Sequence, residues 1–234
     1  MSTYVMSDLH GCYDEYLKML EKINFSDDDM LYIAGDIMDR GPKPMEILLD
    51  IYNRPNVCLI RGNHEYMALE CFEILHAPLE KLSEEKKEII SAWQLNGGVA
   101  TSDEFHKLSR VEKGTATCLL YAIDNYREVS VGGRNYILMH AAPKNFIPEK
   151  LPEDYSFEDF LYWAAPDYDQ VYFKDKFLVT GHTPTAFIEG NPRPNSIFRK
   201  NNHIAIDCGA AMGGRLGCLR LDDGAEFYIE VKDD

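Results

Sequence analysis

Leu31-Tyr32-Ile33-Ala34-Gly35-Asp36-Ile37-Met38-Asp39-Arg40-Gly41 passes at once from an apolar run to a cluster of charge. Residues 31–34 have the β-rich character of a buried strand, and Gly35 ends them. The same junction occurs on either side. Thr3 to Ser7 leads into Asp8-Leu9-His10-Gly11, and Val57 to Ile60 leads into Arg61-Gly62-Asn63-His64-Glu65. Each junction is followed by a helical pattern. Tyr13 to Ile23 carries apolar residues at Tyr13, Tyr16, Leu17, Leu20 and Ile23, Pro44 to Tyr52 starts on a proline, and Glu65 to Leu75 follows the third strand. Asp8 to Asp36 is 28 positions and Asp36 to Asn63 is 27, about one βαβ unit each. Neighbouring parallel strands lie about 4.8 Å apart, so the three polar groups converge on one sheet edge. The fold class is therefore α/β, with a largely parallel sheet in the first third.

The middle of the chain changes character. Leu79 to Trp93 is charged and helical, Asn96-Gly97-Gly98 breaks it, and Ala116 to Tyr126 reads as a further apolar helix. We take residues 78–126 as a helical cap inserted into one domain spanning 1–234. Glu128 to Val131, Gly132-Gly133 and Tyr136 to Met139 read as a β-hairpin. Phe177 to Thr180, Ile204 to Asp207, Leu216 to Leu221 and Phe227 to Val231 are the late strands, expected to form a second sheet.

Bulk properties narrow the chemistry. The chain has 234 residues, 45% of them hydrophobic, enough for a sizeable core without staples. No apolar run approaches the roughly 20 residues of a membrane span. No secretory signal is read at the N-terminus, because Asp8 and His10 arrive too early. The six cysteines form no CxxC pair, which argues against a zinc ribbon and for a reducing cytoplasm. The formal net charge of −15 disfavours bulk nucleic-acid binding. A site that handles phosphate must reverse that sign locally.

Two later segments repeat the junction pattern: Tyr136 to Met139 leads to His140, and Phe177 to Thr180 leads through Gly181 to His182. A single histidine behind a strand is ordinarily a turn or core residue. Five strand ends carrying such residues argue for a site. Asp8, His10, Asp36, Asn63, His140 and His182 are the candidate metal ligands. An extended backbone would turn Asp8 and His10 to one side, and Asp36 is the central candidate for bridging two ions. The mixed oxygen and nitrogen set suits manganese, iron or zinc better than magnesium or calcium. Two divalent ions, two carboxylates, a bridging hydroxide and the guanidinium groups of Arg40 and Arg61 sum to about +3. Arginine forks suit phosphate.

These residues resemble the calcineurin-like metallophosphoesterase superfamily, and within it the serine/threonine phosphoprotein phosphatase branch of bacterial and phage type. The branch's segments DxHG, GDxxDRG, GNHE, a histidine followed by A or G, and GHT read here as DLHG, GDIMDRG, GNHE, HA and GHTP, in that order over residues 8–184. Ile206 to Ala210 and Gly213 to Leu216 resemble its closing strands. The resemblance implies a sandwich of two central β-sheets flanked by helices. It implies one metal held by Asp8, His10 and Asp36, and another held by Asp36, Asn63, His140 and His182. His64 is implied as general acid oriented by Asp39, with Arg40 and Arg61 on the phosphoryl oxygens and Asn63 beside them. Two divalent or trivalent ions, manganese first, would activate a shared water for in-line attack on phosphorus. The substrate would be a phosphorylated protein or a small phosphoester. One departure stands out: Trp163 is followed by Ala164, Ala165 and Pro166, where the branch often carries a substrate-binding arginine. Arg215 is a candidate replacement. Symmetrical dinucleoside tetraphosphate hydrolases share much of the pattern but often lack an aspartate matching Asp39. Small phosphomonoesters are a further alternative, and a non-catalytic binding protein of the same fold is a remote one. His76 and His106 are read as cap or surface residues, His203 as part of a turn, Trp93 as core, and Tyr155 and Tyr162 as core rather than groove.

Overall fold

The computed structural model describes residues 1–77, 79–143, 146–147, 150, 152–156, 159 and 166–231. Tyr162 and Trp163-Ala164-Ala165, on which the expectations about a groove and a missing arginine fall, lie outside the described residues.

The first third alternates as its pattern requires: β1 (Thr3–Met6), α1 (Tyr13–Lys22), β2 (Met30–Ala34), α2 (Pro44–Tyr52), β3 (Val57–Ile60) and α3 (Asn63–Leu75). In α1 the i, i+3, i+4 set Tyr16, Met19 and Leu20 is buried, and acids in its first turn face the positive end of the helix dipole. Three helices follow: α4 (Glu84–Trp93), α5 (Val99–Lys107) and α6 (Arg110–Tyr121). The strands that come after them are β4 (Tyr126–Val131), β5 (Arg134–Met139), β6 (Phe177–Thr180), β7 (Phe198–Lys200), β8 (His203–Ala205), β9 (Arg215–Arg220) and β10 (Glu226–Glu230).

Two five-stranded sheets result, ordered β10-β9-β1-β2-β3 and β4-β5-β6-β8-β7. Strands β1, β2 and β3 are parallel, as are β5, β6 and β8, while β9 and β10 extend the first sheet antiparallel. Val5, Ala34 and Ile60 of the first sheet meet Tyr136, Leu138, Val179 and Ile204 of the second in one buried cluster between the sheets. The helices cover the outer face of the first sheet through a larger core that includes Met6, Ile33, Phe72, Trp93 and Phe105. Among the described residues no helix is long and apolar enough to cross a membrane. All six cysteines are unpaired.

Several expectations shift. Helix α3 starts at Asn63, not Glu65, so Asn63 and His64 sit in its first turn. The Asn96-Gly97-Gly98 break is a π-type turn over Gln94–Gly98 that feeds α5. The helix placed at Ala116 to Tyr126 is α6. It starts earlier because Ser109 and Glu112 form a reciprocal capping box, and Tyr126 already belongs to β4. Helix α6 ends at Tyr121. His203 is not in the turn. Asn201 takes the positive φ, and His203 is wholly buried in β8 with its ring stacked 4.7 Å from Tyr168.

Candidate metal centre

Both sheets deliver their strand ends to one place. Asp8 and His10 follow β1, Asp36 follows β2, Asn63 opens α3 behind β3, His140 follows β5, and His182 follows β6. Asp8, His10, Asp36, Asn63 and His140 are all buried. The backbone at Asp8 and His10 is left-handed and not extended, contrary to the expectation from their spacing. Their φ values are 54° and 42°, and Asp36 at 57° and His182 at 68° are left-handed too. Such conformations are costly for residues with side chains and persist where surrounding structure holds them, commonly at functional sites. Here the holding is visible: the N–H groups of Asp8, His10 and Gly11 donate to the carbonyls of Gly35, Asp36 and Ile37.

Asp36 Oδ2 is the hub, 3.2 Å from His140 Nε2, 3.7 Å from His10 Nε2 and 3.9 Å from His64 Nε2. His140 Nε2 is also 3.0 Å from Asn63 Oδ1 and 3.1 Å from His182 Nδ1. The far nitrogens fix the tautomers. His10 Nδ1 donates to the Met38 carbonyl at 2.7 Å and His140 Nδ1 to the Ala34 carbonyl at 2.9 Å, the outer-shell arrangement of metal-ligating histidines. Three acceptors thus crowd one nitrogen of His140. A proton there satisfies one of them, whereas a cation would satisfy all. His10, Asp36 and His64 form one group that could hold a metal ion, and Asp36, His140 and His182 form another. The donor set fits a pair of divalent cations.

The electrostatics agree. Burial pushes His10 down to about 3 and His182 down to about 4, leaving lone pairs for a metal. Burial would also lower His140, but the Asp36 carboxylate outweighs it and lifts the group to about 10. Burial raises Asp8 well above the usual carboxylate range, and the neighbouring charge of Asp207 adds to that. Asp36 is held well below the range, despite its burial, by His140 and His64.

A second tier surrounds the cluster. His64 Nδ1 donates to Asp39 Oδ2 at 2.7 Å, and Arg40 Nη2 lies 3.1 Å from His64 Nε2. Arg61 is placed differently: its guanidinium donates to the carbonyls of Leu120 and Tyr121 at the end of α6. Arg215 is not brought to the cluster. It donates to the Asn195 carbonyl and Ser196 Oγ and sits 4.4 Å over the Tyr228 ring.

Two buried acids were missed. Glu65 accepts the N–H groups of Asp36 (2.7 Å), Ile37 (2.8 Å), Met38 (3.2 Å) and Gly62 (2.8 Å), stapling the loop after β2 to the start of α3. Its position three residues after Gly62 is half of a capping box, and that was the available signal. Asp207, two residues beyond β8, is 4% exposed and is pushed up to about 6 by burial. It makes β8 a sixth strand end followed by such a residue.

The sequence model of the calcineurin-like phosphoesterase family matches residues 1–205. A protein named "Bis(5'-nucleosyl)-tetraphosphatase, symmetrical" from Wigglesworthia glossinidia brevipalpis is 42% identical over 96 residues, 39% of this chain and 34% of that protein. "Serine/threonine-protein phosphatase 2" from Salmonella typhimurium is 28% identical over 93% of this chain and 92% of its own length. A solved serine/threonine phosphatase from Saccharomyces cerevisiae, titled as similar to human phosphatase PP5, superposes with a TM-score of 0.65 at 14% identity. That match covers all of this chain and 81% of that one.

Proposed function

The chain belongs to the calcineurin-like phosphoesterase family and is a hydrolase of phosphoric esters, and from that premise we propose that it is a phosphomonoesterase of the serine/threonine protein phosphatase type. Two metal ions, one held by Asp8, His10 and Asp36 and the other by Asp36, Asn63, His140 and His182, supply an activated water and neutralise charge at phosphorus when bound. Manganese, iron or zinc fits the mixed donor set. The other steps fall to side chains. Arg40 grips phosphoryl oxygens through its fork. His64 gives a proton from Nε2 to the departing oxygen while Asp39 holds Nδ1. Arg61 must turn from the Leu120 and Tyr121 carbonyls to share the phosphate.

The observation that carries this reading is the 2.7 Å contact between His64 Nδ1 and Asp39 Oδ2. A proton donor matters in proportion to the basicity of what leaves. A nucleotide leaves through a phosphate oxygen whose conjugate acid has a pKa near about 6, so little protonation is needed. A serine or threonine alkoxide is far more basic and departs poorly without a proton. A buried, aimed imidazole therefore favours phosphomonoesters of alcohols. The tetraphosphatase reading draws on the 42% identity of the Wigglesworthia match. The test is kcat/KM for a phosphothreonine peptide and for a dinucleoside tetraphosphate, measured on one manganese-loaded sample. We expect the peptide to be preferred. A tetraphosphate preferred by tenfold or more would replace the phosphatase reading.

A further inference from the structure

Asp39 is the residue that His64 leans on, and its carboxylate is gripped from the far side by the inserted helices. Asp39 Oδ2, which accepts from His64 Nδ1, also accepts the indole N–H of Trp93 at 2.9 Å. Asp39 Oδ1 accepts the hydroxyl of Thr101 at 2.7 Å, and that same hydroxyl oxygen accepts the Asp39 backbone N–H at 2.9 Å. Trp93, Thr101, His64 and Asp39 are at most 2% exposed, so no water competes for these bonds.

The turn between Trp93 and Thr101 is shaped for this grip. The Gly97 carbonyl accepts the Arg40 N–H at 2.8 Å, and Gly97 has φ of 107°. A side chain at Gly97 would meet Arg40 Cγ at 2.8 Å, and one at Gly98 would meet the Trp93 indole at 2.4 Å. The two glycines let the turn close over Arg40 and let the indole lie flat beneath it. A π-type turn in a helix often marks a functional position. Here it places an indole N–H and a hydroxyl, eight residues apart in sequence, on the two oxygens of one carboxylate.

We propose that the segment Trp93–Thr101 is a clamp for the proton donor, in which the Trp93 indole and the Thr101 hydroxyl are positioning residues that fix the Asp39 carboxylate and, through it, the ring of His64. The inserted helices thus contribute to catalysis from behind the site. This rests on the reading of His64 as general acid. With the carboxylate held at both oxygens, the imidazole presents Nε2 to the departing oxygen in one orientation. With either donor removed, the carboxylate rotates and the ring is aimed less often.

The test separates aim from folding. Phenyl phosphate, whose leaving group is basic, needs the proton far more than p-nitrophenyl phosphate does. The variants are Trp93→Phe and Thr101→Val, which keep shape and lose one donor each, with Thr101→Ser keeping the hydroxyl. Metal content and thermal denaturation are measured on every sample. We expect Trp93→Phe and Thr101→Val to lose about tenfold in kcat on phenyl phosphate and less than about threefold on p-nitrophenyl phosphate, a fraction of the contribution of a general acid. Metal content should be unchanged, and Thr101→Ser should be close to the parent. Equal losses on both esters, or none, overturn the clamp. His64→Asn is the reference and should show the same selectivity more strongly. If it does, and the clamp variants do not, only the clamp fails. If His64→Asn shows no selectivity, the assignment of the acid fails and the clamp with it. Should Trp93→Phe not fold, Thr101→Val decides the outcome.

Discussion

At His64 the question is where the proton sits and what keeps the ring pointed. Burial works against the charged imidazole, yet the Asp36 carboxylate and the Asp39 hydrogen bond outweigh it, and the net shift is upward. The ring has no free choice of tautomer, since Nδ1 faces a carboxylate and Nε2 faces Arg40. His64→Asn should therefore lower kcat on an alkyl phosphomonoester by about 10²-fold or more while both metals stay bound. Loss of one metal on elemental analysis would make His64 a ligand instead. Asp36 behaves differently, because its Oδ2 lies within 3.9 Å of three imidazole nitrogens. Asp36→Asn keeps the shape but removes the charge on which both ions would depend. It should bind fewer than two metals per chain and lose metal-dependent turnover, and near-normal turnover would refute the bridging role. Much of this was legible in sequence, because the six candidate ligands all fall within four residues of the end of an apolar run. Trp93 and Thr101 were not. They reach Asp39 across 54 and 62 residues, and nothing local marks a tryptophan at the end of a charged helix as a hydrogen-bond donor.

At the level of elements, the junction between strand and helix carries the precision. Glu65 sits in the first turn of α3 and holds four backbone N–H groups from two loops. Gly62 is packed so closely that a side chain there would lie 2.2 Å from Asp36 Oδ1. Glu65 is 1% exposed, so the donors it serves have no water to turn to. Glu65→Ala should cost about 3 kcal/mol or more in urea unfolding, since it strands several buried donors at once. Glu65→Gln keeps one carbonyl acceptor and should cost less. A loss under about 1 kcal/mol for the alanine variant would mean that the loop finds other partners. The elements themselves were readable where periodicity was strong: α2 and β3 fall on their expected residues. They were unreadable where tertiary contact decides. Strand β7 has three residues, too few to show a period, and is held by pairing with β8. Helix α5 was hidden because two glycines ordinarily end a helix, whereas here they accommodate Arg40 and Trp93.

Across the whole molecule, the candidate centre bridges the two sheets. Asp8, Asp36 and Asn63 come from the first sheet's strand ends, and His140 and His182 come from the second's. A metal pair held there would tie the layers together and would stabilise the folded chain by mass action. It also concentrates positive charge in a chain of formal net charge −15. The dependence on pH has a definite sign. In the metal-free protein His140 is lifted to about 10, against an ordinary value of about 6.5. Its protonated form thus contributes stability that is fully present below about pH 6.5 and is lost as pH rises towards 10. Metal binding needs that nitrogen unprotonated, so binding expels the proton, and affinity climbs up to tenfold per pH unit over the same interval. His10 and His182, held at about 3 and about 4, are already neutral there and add no proton release. The metal-free form should therefore weaken as pH rises, while the loaded form, whose His140 carries no proton in either the folded or the unfolded state above about pH 6.5, holds nearly constant. Scanning calorimetry with manganese and with a chelator, at intervals from pH 6.5 to 8.5, should show a gap in Tm that widens with pH. A gap that stays constant would mean that the expelled proton does not come from His140.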